Sequence, residues 1–190
     1  MNKLSLPNIL TLFRIALIPF FVLFFYLPFN NHQWVAVGIY VIASLTDWLD
    51  GFLARQLKQT SNFGEFLDPV ADKLMILSAL LLCASKFTTP LFTIPALVIL
   101  CREIIISALR AWMSKYGKKF SIKVNLIAKS KTAIQMIAIG FLISQIDSPF
   151  ILSKLLVIGY ILFYIAVILT VWSMLIYINL AIENMHKKNS

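Results

Sequence analysis

Acidic residues are scarce in this 190-residue sequence: eight Asp and Glu stand against 17 Lys and Arg, and charged residues of both signs make up only 13%. With 60% of residues hydrophobic and a mean hydropathy of +0.87, that shortage of charge excludes a soluble globular domain and requires an integral membrane protein. Cysteine is nearly absent as well. Cys83 and Cys101 sit in apolar runs with no ligand-spaced neighbour, which excludes a disulfide framework or zinc site and makes both expected packing residues. Glycine is sparse at six, and no Gln/Asn-rich, Ser-rich or Pro-rich tract interrupts the chain, so low complexity and disorder are excluded.

What the chain does have is long apolar runs. Stretches of roughly twenty residues, enough to cross a bilayer, occupy about 9–29, 34–54, 69–86, 91–112, 125–145 and 151–179. They predict an all-α integral membrane fold: a six-transmembrane-helix bundle forming one domain over 1–190, with no internal repeat and no separate soluble part. The last run is longer than a bilayer needs and is expected to tilt or to extend into the cytoplasm. The first is too long for a signal segment and is followed by no small-residue cleavage pattern, so it is expected to be retained as a span.

The connections alternate. Those at 28–33, 88–90 and 147–149 are short and nearly uncharged, whereas basic residues gather at Lys115, Lys118, Lys119 and Lys123, at Lys129 and Lys131, and at Lys187 and Lys188. Basic loops mark the cytoplasmic side, which places both termini in the cytoplasm and the protein in the cell membrane; Lys86 and Lys154 run against this assignment. The net charge of +9 is thereby assigned to topology and to attraction for anionic membrane lipid, with no nucleic-acid partner expected. Segment 113–124 is expected to form a short interfacial helix.

Against this background, four of the eight acids fall at Asp47, Asp50, Asp68 and Asp72, inside or beside predicted spans. A carboxylate at bilayer depth costs several kcal/mol without a partner, so such residues usually line a cavity or bind cations. Asp47 and Asp50 are i,i+3 and Asp68 and Asp72 are i,i+4, so each pair projects from one helix face, at the ends the topology places on the cytoplasmic side. Gly51 and Ala54 lie one turn on and leave room for a flat group to approach the backbone. Two structural readings compete: Asp68 before Pro69 also fits a helix N-cap with proline at the first helical position, and the acids could form an ion-pair network with Arg55, Lys73 or Arg14. Four acids with so few cations in phase favour a metal. Carboxylates without His or Cys ligands suit Mg²⁺ or Mn²⁺, and those ions suit phosphate and diphosphate substrates, so the chemistry points to phosphoryl or diphosphate transfer.

The pattern D-x-x-D-G-x-x-A-R from Asp47 to Arg55, eight further residues, then G-x-x-x-D-x-x-x-D from Gly64 to Asp72 resembles the full signature of the CDP-alcohol phosphotransferases. The resemblance implies a site for Mg²⁺ or Mn²⁺, two ions, built by Asp47, Asp50, Asp68 and Asp72. It implies cytidine packed near Gly51 and Ala54, with Arg55 and Gly64 in the CDP-lipid site, Asp72 as the general base, and a homodimer. Asn8, Thr11 and Arg14 stand at i, i+3, i+6 near the cytoplasmic end of the first helix. They could contact the nucleotide or diphosphate, or Asn8 and Thr11 could cap the helix.

Arg102, Glu103, Arg110, Lys129 and Lys131 lie in or at the cytoplasmic ends of the fourth and fifth helices. Snorkelling to the interface is the alternative for Arg110 and Lys129; Arg102 is deeper, and Glu103 beside it is expected to point elsewhere on the helix. The run Ala128-Lys129-Ser130-Lys131-Thr132 and the opening Pro7-Asn8-Ile9-Leu10-Thr11-Leu12-Phe13-Arg14 resemble the branch that makes phosphatidylglycerophosphate. In that branch Arg110 and Lys131 would hold the phosphate of sn-glycerol 3-phosphate, with Lys129 and Arg102 beside them. The implied reaction is CDP-diacylglycerol plus sn-glycerol 3-phosphate giving phosphatidylglycerophosphate and CMP. Inositol phosphate, serine or glycerol as acceptor is the alternative within the family. An intramembrane prenyltransferase would more often repeat its aspartate pairs on distant helices, and a divalent-cation transporter would need acids through the membrane depth; neither pattern is present. Ser78, Ala79, Ala84, Ser107 and Ala108 permit close helix contact without naming a partner.

Overall fold

The computed structural model describes residues 6–57, 62–114, 125–146 and 153–189; within its helices the side chains of 50–57, Asp68, Arg110 and 125–130, among others, lie outside the described set. Six helices follow one another: α1 (Leu6–Tyr26), α2 (His32–Leu57), α3 (Asn62–Lys86), α4 (Pro90–Ser114), α5 (Asn125–Ser144) and α6 (Lys154–Asn189). The described residues contain no strand. Of segment 113–124, where an interfacial helix was expected, 113–114 end α4 and 115–124 lie outside the described residues.

Local chemistry sets several helix ends. Asn31 adopts a left-handed φ of 66°, a conformation asparagine tolerates better than most side chains, and its carbonyl accepts the first backbone bond of α2 from Trp34 at 3.0 Å. Pro90 takes the first position of α4, where the missing N–H costs nothing, while the Thr89 carbonyl accepts from Phe92 and Thr93. At α6, the Ser153 hydroxyl accepts the Leu156 N–H at 3.1 Å and donates to Gln145 Oε1 at 2.6 Å, so the cap also fastens the end of α5.

The third helix departs from the sequence expectation. It begins at Asn62, which puts Pro69 inside the helix and removes Asp68 from the N-cap position. The N–H that Pro69 lacks breaks one backbone bond, a defect membrane helices tolerate when neighbouring groups satisfy the freed carbonyl.

α1 packs against α2 and α3, α4 and α5 pack on α6, and contact between α2 and α5 joins the two groups. Aromatic side chains fill the seams. Phe21 and Tyr40 meet between α1 and α2 with ring centres 6.0 Å apart, and Phe92 stacks on Phe163 between α4 and α6 at 5.1 Å and 10°. The outer faces carry large exposed apolar residues such as Leu81, Ile104 and Ile168, the surface a lipid solvent requires. By length and composition alone, Asn8–Tyr26, Pro90–Leu109 and Lys154–Asn179 are each sufficient to cross a membrane. Cys83 is buried as expected, but Cys101 is exposed on the outer face of α4 and is not a core residue; apolar neighbours in sequence do not distinguish a core-facing from a lipid-facing position.

Phe163 is fully buried in its stack with Phe92. Its replacement by alanine is expected to cost about 3–5 kcal/mol, read as a lowered unfolding midpoint in detergent, whereas Ile168→Ala on the exposed face should leave the midpoint nearly unchanged.

Candidate active site

The packing of α1 against both α2 and α3 brings one residue from each helix to a point. Arg14, on α1, is 1% exposed and is the largest of the fully buried side chains among the described residues. Its Nη1 lies 3.0 Å from Asp47 Oδ1 of α2 and donates to Asp72 Oδ1 of α3. Both carboxylates remain partly open, with side-chain exposures of 28% and 37%. A guanidinium buried among apolar side chains is tolerable only when paired and hydrogen-bonded, so the convergence of two acids on one nitrogen is the condition for Arg14 to lie there.

Of the cations weighed as partners for the acids, Arg14 is thus paired with two of them; the side chain of Arg55 lies outside the described residues. The helix α1 starts at Leu6, so Asn8 and Thr11 lie within it and are not caps. Both are buried on the face that carries Arg14, as their i, i+3, i+6 spacing requires. Gly64 lies near the start of α3 and is half-buried. Asp50, Gly51, Ala54 and Arg55 lie on α2 and Asp68 on α3, but their side chains are outside the described set.

A divalent cation needs oxygen ligands converging from more than one direction, and Asp47 and Asp72 meet that test: oxygens from two helices reach the same cationic nitrogen. Among the described residues no group of three His, Cys, Asp or Glu side chains is assembled. Along the chain Asp50 stands three residues after Asp47 on α2 and Asp68 four before Asp72 on α3.

Beside the cluster is a cavity of about 10 Å³ lined by Arg14, Tyr40, Ser44, Asp47, Asp72 and Met136, room for about one water. Tyr40, Ser44 and Met136 also line a groove of about 530 Å³ between α2 and α5 whose remaining walls, including Trp34, Leu45 and Phe141, are apolar except at Ser144. An apolar groove therefore runs up to the acidic cluster.

A second polar cluster lies among α4, α5 and α6. Arg102, 3% exposed, donates from Nη1 to Glu103 Oε1 at 2.5 Å and from Nη2 to the Ser173 hydroxyl at 2.9 Å. The Lys131 ammonium, also buried, is 3.8 Å from the same Glu103 oxygen. The expectation that Glu103 points away from Arg102 is corrected: neighbouring side chains on a helix diverge at Cβ, but these two are long enough to bend back to each other. Ser173 was not anticipated; the signal available was a pair of hydroxyls, Thr170 and Ser173, at i,i+3 in an otherwise apolar run, both fully buried. Arg110 and Lys129 lie on α4 and α5 with side chains outside the described set.

A family model described as CDP-alcohol phosphatidyltransferase matches residues 4–172. The chain is similar to proteins named CDP-diacylglycerol--glycerol-3-phosphate 3-phosphatidyltransferase. It is 48% identical to that of Haemophilus influenzae over 179 residues, 94% of each chain. It is 50% identical to that of Sodalis glossinidius over 93% of this chain and 94% of the relative, and 50% identical to that of Pectobacterium atrosepticum over 94% and 96%.

Replacing Arg14 by methionine removes the cation that Asp47 and Asp72 share. Because both acids are partly exposed, the expected loss is about 1–3 kcal/mol, below that for a fully buried pair. Millimolar Mg²⁺ should raise the unfolding midpoint of Arg14→Met more than that of the unaltered protein; equal shifts would show that the two carboxylates do not share a cation site.

Proposed function

The chain belongs to the CDP-alcohol phosphatidyltransferase family, and from that premise we propose that it transfers the phosphatidyl group of CDP-diacylglycerol to sn-glycerol 3-phosphate, yielding phosphatidylglycerophosphate and CMP. It is a membrane transferase of phospholipid synthesis. The observation that carries the reading is the meeting of Asp47 and Asp72, the first and last acids of the signature, at one cationic point. The groove between α2 and α5, mainly apolar and sharing Tyr40, Ser44 and Met136 with the cavity beside that point, supports a substrate with acyl chains and a charged head.

The family is generally divalent-metal dependent. Asp47, Asp50, Asp68 and Asp72 would hold Mg²⁺ or Mn²⁺, as two ions; bound there, the metal supplies positive charge against the diphosphate as the bond to CMP breaks. Asp72 takes the proton from the acceptor hydroxyl, whose oxygen attacks the lipid-side phosphorus while CMP departs with the electrons of the broken P–O bond. Gly51 and Ala54 leave room for the cytidine, with Arg55, Asn8, Thr11 and Gly64 around the CDP-lipid. Arg102, Arg110, Lys129 and Lys131 bind the acceptor's phosphate, and the burial of Arg102 and Lys131 supports this because a cation held out of water interacts strongly with a dianion.

In the same reading all six helices cross the membrane, the site faces the cytoplasm and both termini lie there. The family resemblance further implies a homodimer. Of the small residues on α3 and α4, Ala79 is buried within the chain's own core whereas Ala108 is exposed and free to meet a second copy.

CMP release from CDP-diacylglycerol and Mg²⁺ tests the proposal, with sn-glycerol 3-phosphate, inositol phosphate, serine and glycerol compared as acceptors. Turnover is expected with sn-glycerol 3-phosphate, to stop when EDTA removes the metal, and to fall roughly 100- to 10,000-fold in Asp72→Asn. Turnover with a different acceptor alone would overturn the acceptor assignment, and no CMP from folded protein with any of them would overturn the reaction.

A further inference from the structure

Among the described residues, two buried cations, Arg102 and Lys131, meet the carboxylate of Glu103 in the cluster among α4, α5 and α6. Glu103 is its most open member, with a side-chain exposure of 25% against 4% for Arg102 and 6% for Lys131. Its Oε1 lies 2.5 Å from Arg102 Nη1, a charge-assisted hydrogen bond. The same oxygen is 3.8 Å from Lys131 Nζ, beyond hydrogen-bond length, so that contact is a looser one. Arg102 is fixed from behind by Ser173 of α6. Donor capacity remains: among the described residues Arg102 Nε and Gln135 Nε2 are buried without an acceptor, and Gln135 stands one turn from Lys131 on the same face of α5.

This arrangement is a set of buried donors with the Glu103 carboxylate, which contacts both cations, at its more open edge. An incoming phosphate must draw on the same guanidinium and ammonium that Glu103 contacts, and as a like charge it is repelled by Glu103. Resting on the reading that Arg102 and Lys131 face the acceptor's phosphate, we propose that Glu103 is an internal anion that competes with that phosphate and so sets acceptor affinity and the release of the phosphorylated product. The carboxylate neutralises the buried cations between turnovers, and the acceptor's phosphate takes over one or both contacts as it binds. Glu103 is a specificity-determining positioning residue: it acts through Arg102 and Lys131 and touches no reacting atom.

The competitor role has a sign opposite to a structural one. If Glu103 merely organised the two cations, its loss would weaken acceptor binding; as a competitor, its loss strengthens it. In Glu103→Gln, with the full-length protein in detergent, KM for sn-glycerol 3-phosphate should fall roughly tenfold, the equivalent of about 1.4 kcal/mol. KM for CDP-diacylglycerol should not change, and kcat should fall as product leaves more slowly. Inorganic phosphate should inhibit the variant at correspondingly lower concentration. An unchanged or raised KM for sn-glycerol 3-phosphate overturns the proposal. Should Glu103→Gln fail to fold, Glu103→Asp decides: its shorter reach weakens competition at constant charge, so a lower KM supports the proposal and an unchanged or higher KM overturns it. These failures are distinct from failure of the reaction itself, which would appear as absence of turnover with sn-glycerol 3-phosphate in the unaltered protein.

Discussion

Arg14 can remain 1% exposed inside an apolar bundle because α2 and α3 each deliver a carboxylate to its guanidinium. The pairing couples three helices at one point: α1 must lie between the other two, and α2 and α3 must be turned so that Asp47 and Asp72 face the same nitrogen. The aromatic contact between Phe21 and Tyr40 fixes the α1–α2 seam further along, but dispersion and area burial are non-directional and tolerate small rotations. A hydrogen-bonded charge at low dielectric tolerates them poorly, so the ion cluster sets the rotation of the helices and the aromatic core holds them at that setting.

A division of labour follows. α2 and α3 hold the acids of the signature and α1 the Arg14 that pairs with two of them, whereas α4, α5 and α6 hold Arg102, Glu103, Lys131 and Ser173. The two sets approach where α2 meets α5 and where α3 meets α4 and α5, and the apolar groove lies along the first of these contacts. A reaction that brings an acyl-chain donor to a phosphate-bearing acceptor needs such an arrangement, with opposite electrostatic demands met by separate helices and an apolar approach between them.

Much of this was legible in the sequence. The aspartate spacing identified helices two and three as the acid-bearing pair because helical periodicity is fixed by backbone geometry, and the apolar runs located all six helices. The ends were less legible. The segment from Asn62 to Asp68 is polar enough to read as loop, and the pairing of Asp68 with Pro69 imitates a helix start, yet α3 begins at Asn62. The contact between Arg102 and Glu103 was misjudged because Cβ directions do not determine where long side chains end. The exposure of Cys101 was misjudged because in a membrane protein the core and the surroundings are equally apolar, so hydropathy carries no inward direction.

The partner of Arg14 on α3 lies 58 residues further along the chain. Domains form from the N-terminus during synthesis, so the first helix reaches the bilayer carrying a guanidinium whose full complement of carboxylates has yet to leave the ribosome. An unpaired arginine at membrane depth is costly, and α1 can settle into its final depth and tilt only after α3 has entered. The seating of the first helix made is therefore tied to a residue 58 positions later in synthesis.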